Sequence, residues 1–238
     1  MKVLVGITLA TTYEPLMASL RAPTPFDTNF YVQQLSHDLI LAAQQTLLPG
    51  YPPEYPPVNF TFATMRHLVS QSYDWVVRCD ADTFVNYTQL ESFLQTKMSA
   101  TPVFIGHRVH GRRHERRFLN ISHYAEGGAC DILNRAAANV FQRHVTSCFS
   151  DSLRVRSPLR HSDVEISRCL ISNGVKLTPH DWRRILMVRP KKRKHVTLCD
   201  LHAALGHLAP MIVHPIKTRA ARELLASNIL NSSQRGTC

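Results

Sequence analysis

Two aspartates separated by one residue, Asp80-Ala81-Asp82, are the part of this 238-residue chain whose residue types and spacing point most directly to chemistry. Carboxylate oxygens suit hard divalent cations, and a cation held by so few protein ligands keeps positions free to bridge substrate phosphates. Frequency alone says little, because ten aspartates in a chain of this length give about 0.4 chance occurrences of Asp-x-Asp. The setting says more. Tyr73-Asp74-Trp75-Val76-Val77-Arg78-Cys79 stands directly before the pair. It is β-branched and aromatic and too short for a helix, so it predicts a buried strand that delivers both carboxylates to a crevice at its end. A turn or a helix cap would account for either aspartate singly, but not for both after such a strand.

The elements needed to hold that strand can be read around it. Residues 3–10 predict another buried strand, and residues 29–48, carrying Leu35, Leu39 and Ile40, a helix-prone or mixed segment. Residues 49–57 hold five prolines and a glycine, which bar a helix or a central strand and predict a surface loop. Residues 62–69 predict a short helix with Met65, Leu68 and Val69 on one face, and 87–98 an amphipathic helix through Leu90, Phe93 and Leu94. A strand follows at 103–106, helices at 129–145 and at 164–172, the latter ending at Asn173-Gly174, and a last strand at 211–214. The alternation is α/β, there is no internal repeat, and the length fits one domain over residues 1–238.

Hydrophobic residues make up 44% of the chain, and mean hydropathy is -0.15. The sequence has no run of eighteen or more apolar residues that could cross a bilayer. The apolar start is too short for a secretion signal and precedes a poor cleavage context, so a strand is the better reading. A formal charge of +11 implies attraction to something acidic. Much of it lies in two runs, 107–117 and 189–195, which read as loops because neither has a helical or alternating apolar pattern. They lack the interleaved aromatics on which bases stack, which counts against nucleic acid as the partner. The six cysteines form no CxxC pair and no zinc spacing. Their even number is compatible with disulfides. The sequons at Asn59, Asn86, Asn120 and Asn231 add to a reading of secretory origin.

The segment from Tyr73 to Asn86 resembles the metal-site strand of family 31 glycosyltransferases, which include Fringe and the β-1,3-galactosyl- and N-acetylglucosaminyltransferases. Further blocks fall in that family's order. His37-Asp38-Leu39-Ile40 and Asn59-Phe60-Thr61 come before the strand; Tyr124-Ala125-Glu126-Gly127-Gly128-Ala129 and Ser162-Asp163-Val164-Glu165-Ile166-Ser167-Arg168-Cys169-Leu170 come after it. The resemblance covers about residues 30–215, leaving 216–238 as a tail. It implies a GT-A-type nucleotide-sugar-binding fold, with a mostly parallel central sheet flanked by helices. The implied activity is inverting, metal-dependent hexosyl transfer from a UDP-sugar, UDP-galactose or UDP-N-acetylglucosamine, to a glycan in β-1,3 linkage, in the Golgi.

Carried over residue by residue, the resemblance makes Asp82 the more direct manganese ligand and sets Asp80 nearer the donor's ribose and sugar, with His214 as a further metal ligand. Gly127 and Gly128 match a glycine pair that lets backbone approach the donor. A loop into the helix at Ala129 is the alternative reading. Asp163 matches the base that deprotonates the acceptor hydroxyl, although a cap on the following helix fits it too. Ser162 and Ser167 stand where the family has an acid and a glycine, so Glu165 is a fallback base. Cys148 and Cys169 bracket the base segment as a disulfide does in some relatives, whereas Cys79 suits a disulfide or a buried apolar position. The arginines of 107–117 border the acceptor side, which points to an acidic acceptor. The family's membrane anchor and stem are absent from this chain. Only about thirty residues separate the first strand from His37-Asp38, so an N-terminal unit is missing or two strands are merged. A sugar-nucleotide-binding pseudoenzyme and, more distantly, a basic nucleic-acid binder are the competing readings.

Overall fold

The computed structural model describes residues 1–9, 26–32, 45–47, 57–155, 160–179, 185–187, 210–216 and 225. In chain order the first elements are β1 (Val3–Leu9), β2 (Asp27–Val32), β3 (Gln45–Leu47), α1 (Val58–Ser70), β4 (Trp75–Asp80), β5 (Phe84–Val85) and α2 (Tyr87–Gln95). Then come β6 (Phe104–Gly106), β7 (Arg108–His110), α3 (Arg113–Phe118), β8 (His123–Ala125), β9 (Asp131–Asn134) and α4 (Arg135–Leu153). The last are α5 (Ser162–Ser172), β10 (Leu177–Pro179), β11 (Ile185–Met187) and β12 (Ile212–His214).

Seven strands make one sheet in the order β10-β6-β9-β4-β1-β2-β3. All its pairings are parallel except the two that β9 makes with β4 and β6. This is the predicted mostly parallel sheet flanked by helices. Its strands alternate as period-two chemistry requires. Val3, Val5 and Ile7 of β1 and Trp75, Val77 and Cys79 of β4 enter one apolar layer with Leu90, Phe93 and Leu94 of α2. Leu4 and Val76 enter the other, beneath α1, α4 and α5.

Packing rather than local propensity holds α1 in place. Its N-cap is Pro57, with no side-chain capping bond. It buries Phe60, Phe62, Met65, Leu68 and Val69; at roughly 2 kcal/mol each this face contributes on the order of 10 kcal/mol gross, far above the ~1 kcal/mol of a missing cap. Arg135 at the start of α4 donates to the carbonyls of Tyr73 (2.6 Å), Val69 (3.1 Å) and Gln71, closing the C-terminal end of α1. Among the described residues no helix is long and apolar enough to cross a membrane.

Four expectations need correction. The predicted helix over 129–145 begins only at Arg135, because Asp131–Asn134 is a strand. Ile132 and Leu133 face opposite layers, and the Asn134 carboxamide accepts the Ala137 N–H at 2.9 Å as the helix cap. Within 29–48 the described parts are β2 and β3, paired in parallel with each other, rather than helix. With β1 they make three strands before α1 among the described residues. The 107–117 run is not a loop: it holds β7 and α3. There the Glu115 carboxylate accepts the Arg112 N–H at 2.6 Å and starts a helix too short to show a period. Cys79 is not merely a small apolar residue, since it is bonded to Cys130. The predicted Cys148–Cys169 bond is present. Residues 37–40, 49–56, 189–195 and 231 lie outside the described residues.

Candidate active site

The site lies where β4 ends. Thr83 N–H bonds back to the Asp80 carbonyl at 3.0 Å, and the chain enters β5, which pairs antiparallel with β12 through Val213↔Phe84 and Ile212↔Val85. That register carries His214 one step beyond the ladder, beside Asp82 and Thr83. Its Nδ1 is 3.4 Å from Asp82 Oδ1 and 3.1 Å from Thr83 Oγ1, and Thr83 in turn donates to the Gly128 carbonyl. Two of the three predicted metal ligands, Asp82 and His214, therefore meet. A carboxylate with an imidazole is a fitting donor pair for manganese. Asp80 does not join them. Its Oδ1 accepts from Arg78 Nη1 at 2.7 Å and from Thr8 Oγ1 at 2.9 Å, and its side chain is 43% exposed. Among the described residues no group of three or more His, Cys, Asp or Glu is arranged to hold a metal ion. Two protein donors suffice for a cation whose remaining shell comes from phosphate and water.

The glycine pair joins this end to the predicted base. A Cβ on Gly127 would fall on the Arg78 guanidinium and 3.2 Å from the Asp163 Cβ, and one on Gly128 would fall on the His214 ring. Both positions therefore exclude a side chain, because neighbouring side chains already fill the space a Cβ would take. Gly127 thus touches the arginine that holds Asp80 and the candidate base, while Gly128 touches the partner of Asp82.

Asp163 occupies the first turn of α5, where its Oδ1 accepts the Val164 N–H at 2.9 Å. The N-cap position itself is His161. Burial pushes the Asp163 carboxyl above the usual range, Asp80 adds to the rise, and the Val164 N–H, His161 and Arg78 hold it back. Glu165, the fallback base, is committed elsewhere. It is fully buried and its Oε2 accepts Arg168 Nε at 3.0 Å on its own helix. Ser167 has a structural role, its hydroxyl accepting the Ala125 N–H at 3.0 Å and tying α5 to β8.

Three site residues escaped the sequence reading. Arg78 is buried and bonds Asp131 Oδ2 through Nε at 3.1 Å as well as Asp80. Asp131 is fully buried, and that burial, opposed by Arg78, pushes its carboxyl up to about 6. The phenol of Tyr124 is pushed up to about 12 by burial and then by Asp163, so it stays protonated beside the base. A charged residue inside an apolar run, as Arg78 is within Trp75-Val76-Val77-Arg78-Cys79, was the signal to follow.

A basic surface flanks the site. The β7–β8 hairpin opposes His110 to His123, their rings 4.4 Å apart. A groove of about 430 Å³ is lined by Arg108, Asn120, His123 and Lys176 and floored by Ile121 and Val175. It reaches Ile171 near the C-terminal end of α5, roughly 12 Å along the helix from Asp163.

The sequence model of the Fringe-like family matches residues 58–181, just over half of the chain. Chondroitin sulfate synthase 3 of Mus musculus and of Homo sapiens each show 24% identity over 192 residues, covering 77% of this chain and 21% of theirs. The chain thus spans about a fifth of the length of these relatives. Among solved structures, galactosyltransferase LgtC with donor and acceptor sugar analogues superposes with a TM-score of 0.61 at 12% identity, over 98% of this chain and 97% of that one. The bifunctional glycosyltransferase WbbM gives 0.56 at 13%, over 97% and 50% of the two chains. The glycosyltransferase GlyE of Streptococcus pneumoniae gives 0.54 at 13%, over 97% and 60%. At such identities the likeness is one of fold, the GT-A fold.

Proposed function

Because the chain belongs to the Fringe-like family, we propose that it is the catalytic domain of an inverting glycosyltransferase. On this reading it moves galactose or N-acetylglucosamine from a UDP-sugar to a glycan acceptor in β-1,3 linkage. The observation that carries the proposal is the Gly127–Gly128 turn, which packs against Arg78 and Asp163 on one side and His214 on the other. It brings an acid fit for base chemistry and an Asp82–His214 pair fit for a cation to the two sides of one turn.

Asp163 accepts the proton of the acceptor hydroxyl as that oxygen attacks the anomeric carbon. The bond from that carbon to the diphosphate breaks on the opposite face, and UDP leaves with the electron pair. One displacement with one base inverts the centre and needs no covalent intermediate. Asp82 and His214 are the residues that would hold a manganese ion, which when bound neutralises the departing diphosphate. Arg78 fixes Asp80 toward the donor. The two disulfides support a Golgi lumenal location. An acidic acceptor is favoured by the basic hairpin and by relatives whose name carries a sulfated, hence anionic, glycan.

The test is a screen of UDP-sugars with manganese, read as UDP release with and without uronic-acid-containing and neutral glycans. Acceptor-stimulated release from one donor is expected. Donor binding without release would make the domain a sugar-nucleotide-binding pseudoenzyme instead.

A further inference from the structure

The chain carries four Asn-x-Ser/Thr triplets, and the structure treats the three it describes very differently. Asn86 is buried, and its carboxamide accepts the Gln89 N–H at 3.2 Å as the cap of α2. A glycan on its nitrogen would have to displace core. Asn59 lies in the first turn of α1, where its Oδ1 accepts from Arg160 at 2.7 Å. Its hydroxyl partner Thr61 is buried and donates to the Pro57 carbonyl at 2.8 Å. Asn86 is thus buried outright, and Asn59 is half-buried with its carboxamide oxygen tied to Arg160.

Asn120 is the opposite case. It follows the last turn of α3 with φ of 51°, the left-handed conformation that asparagine tolerates at a helix's end. It is exposed, as is Ser122, and the segment between them belongs to no helix or strand. No hydrogen bond holds the Asn120 carboxamide among the described residues. A bulky hydrophilic group at this position would meet water rather than core.

We propose that Asn120 is an N-glycosylation site, and that among the described sequons it alone is occupied. The proposal rests on the lumenal reading given above. Its chemical independence comes from the geometry of Asn120 and from the disulfides Cys79–Cys130 and Cys148–Cys169, which belong to an oxidising compartment. The Asn120 amide nitrogen loses one proton and forms a bond to the anomeric carbon of an oligosaccharide. That carbon's bond to a polyisoprenoid diphosphate carrier breaks, and the carrier leaves with the electron pair. The attached glycan stands at the rim of the groove lined by Arg108, His123 and Lys176.

The experiment uses the full-length protein from mammalian cells. Deglycosylation by peptide-N-glycosidase in ¹⁸O-water, followed by peptide mass spectrometry, marks each occupied asparagine as an ¹⁸O-labelled aspartate. Label at Asn120, with Asn59 and Asn86 unlabelled, is the expected result. Asn120→Gln and Ser122→Ala should each remove that glycan, and the second leaves the left-handed asparagine in place. Non-reducing peptide mapping on the same sample reports the cysteines. Bare Asn120 with both disulfides formed overturns the site and leaves the lumenal reading standing. Bare Asn120 with free thiols overturns both, and label at Asn86 overturns the selection argument.

Discussion

Around the crevice each acid is set apart by its neighbours, and substitutions should separate their roles. Asp82 faces His214 at 3.4 Å, so Asp82→Asn, which keeps shape but removes ligand charge, is expected to abolish manganese-dependent turnover with Tm unchanged. Asp163→Asn should lower kcat by about 10²-fold or more with little change in UDP-sugar affinity, since a base is used in the transition state and not in donor binding. Equal loss of donor binding would make Asp163 structural. Burial raises the Asp163 carboxyl, so kcat should fall on acidification at a pH above the ordinary carboxylate range. Asp131 tests the buried charge. Burial lifts its pKa in the folded protein to about 6, above the ordinary 3.8 of an aspartate, so the stability it contributes is complete below 3.8 and lost as pH rises through about 6. Relative to Asp131→Asn, which has no such step, the wild type should lose on the order of 3 kcal/mol between pH 4 and 7. Denaturant unfolding of both proteins across that range measures it; a constant gap would mean Asp131 ionises normally.

What the sequence could reveal of these elements follows from how locally each is determined. β4 was legible because five of its six residues are buried and apolar or small except Arg78, and because the chain after it turns at once. β9 was not, since its four residues run directly into an alanine-rich helix and only Asn134 marks the join. The Asp82–His214 approach depends on β5 pairing with β12, across 131 residues from Thr83 to His214. No local pattern encodes such a pairing, so His214 came from resemblance alone. Cysteine connectivity is likewise not written in spacing, which is why Cys79–Cys130 was missed. Both bonds should nonetheless be felt in stability. They close segments of 21 and 51 residues, for which chain entropy gives about 3 and about 4 kcal/mol. Cys148→Ser with Cys169→Ser should therefore lower the unfolding free energy somewhat less than Cys79→Ser with Cys130→Ser, as read by denaturant titration; a reversed order would point to strain or residual structure rather than loop entropy.

Over the whole molecule the feature not used by the crevice is charge. The chain carries a formal +11, and within the described residues a dense part of it lies on β7, α3 and β8, beside the turn that touches Asp163. Arg112, Arg113, Arg116 and Arg117 are all exposed. Arg116 Nη1 also donates to the Gly111 carbonyl at 2.9 Å, and Arg117 lies 5.3 Å from the Phe118 ring. Guanidinium forks recognise carboxylate and sulfate oxygens better than neutral hydroxyls, so this face should draw an anionic glycan toward Asp163. Exposed contacts of this kind are worth a few tenths to about 1 kcal/mol each, so replacing all four with glutamine should raise the acceptor KM on the order of tenfold. Glutamine at 116 keeps a donor for Gly111. Salt should act in the same direction, because such contacts are screened within about 10 Å at 0.1 M. The donor KM should hardly change under either treatment, since the Asp82–His214 pair proposed for the donor lies on the other side of the Gly127–Gly128 turn. If acceptor kinetics are indifferent to both, or if a neutral oligosaccharide is the best acceptor, the arginines serve only to solvate the hairpin and the acceptor must be recognised by uncharged contacts.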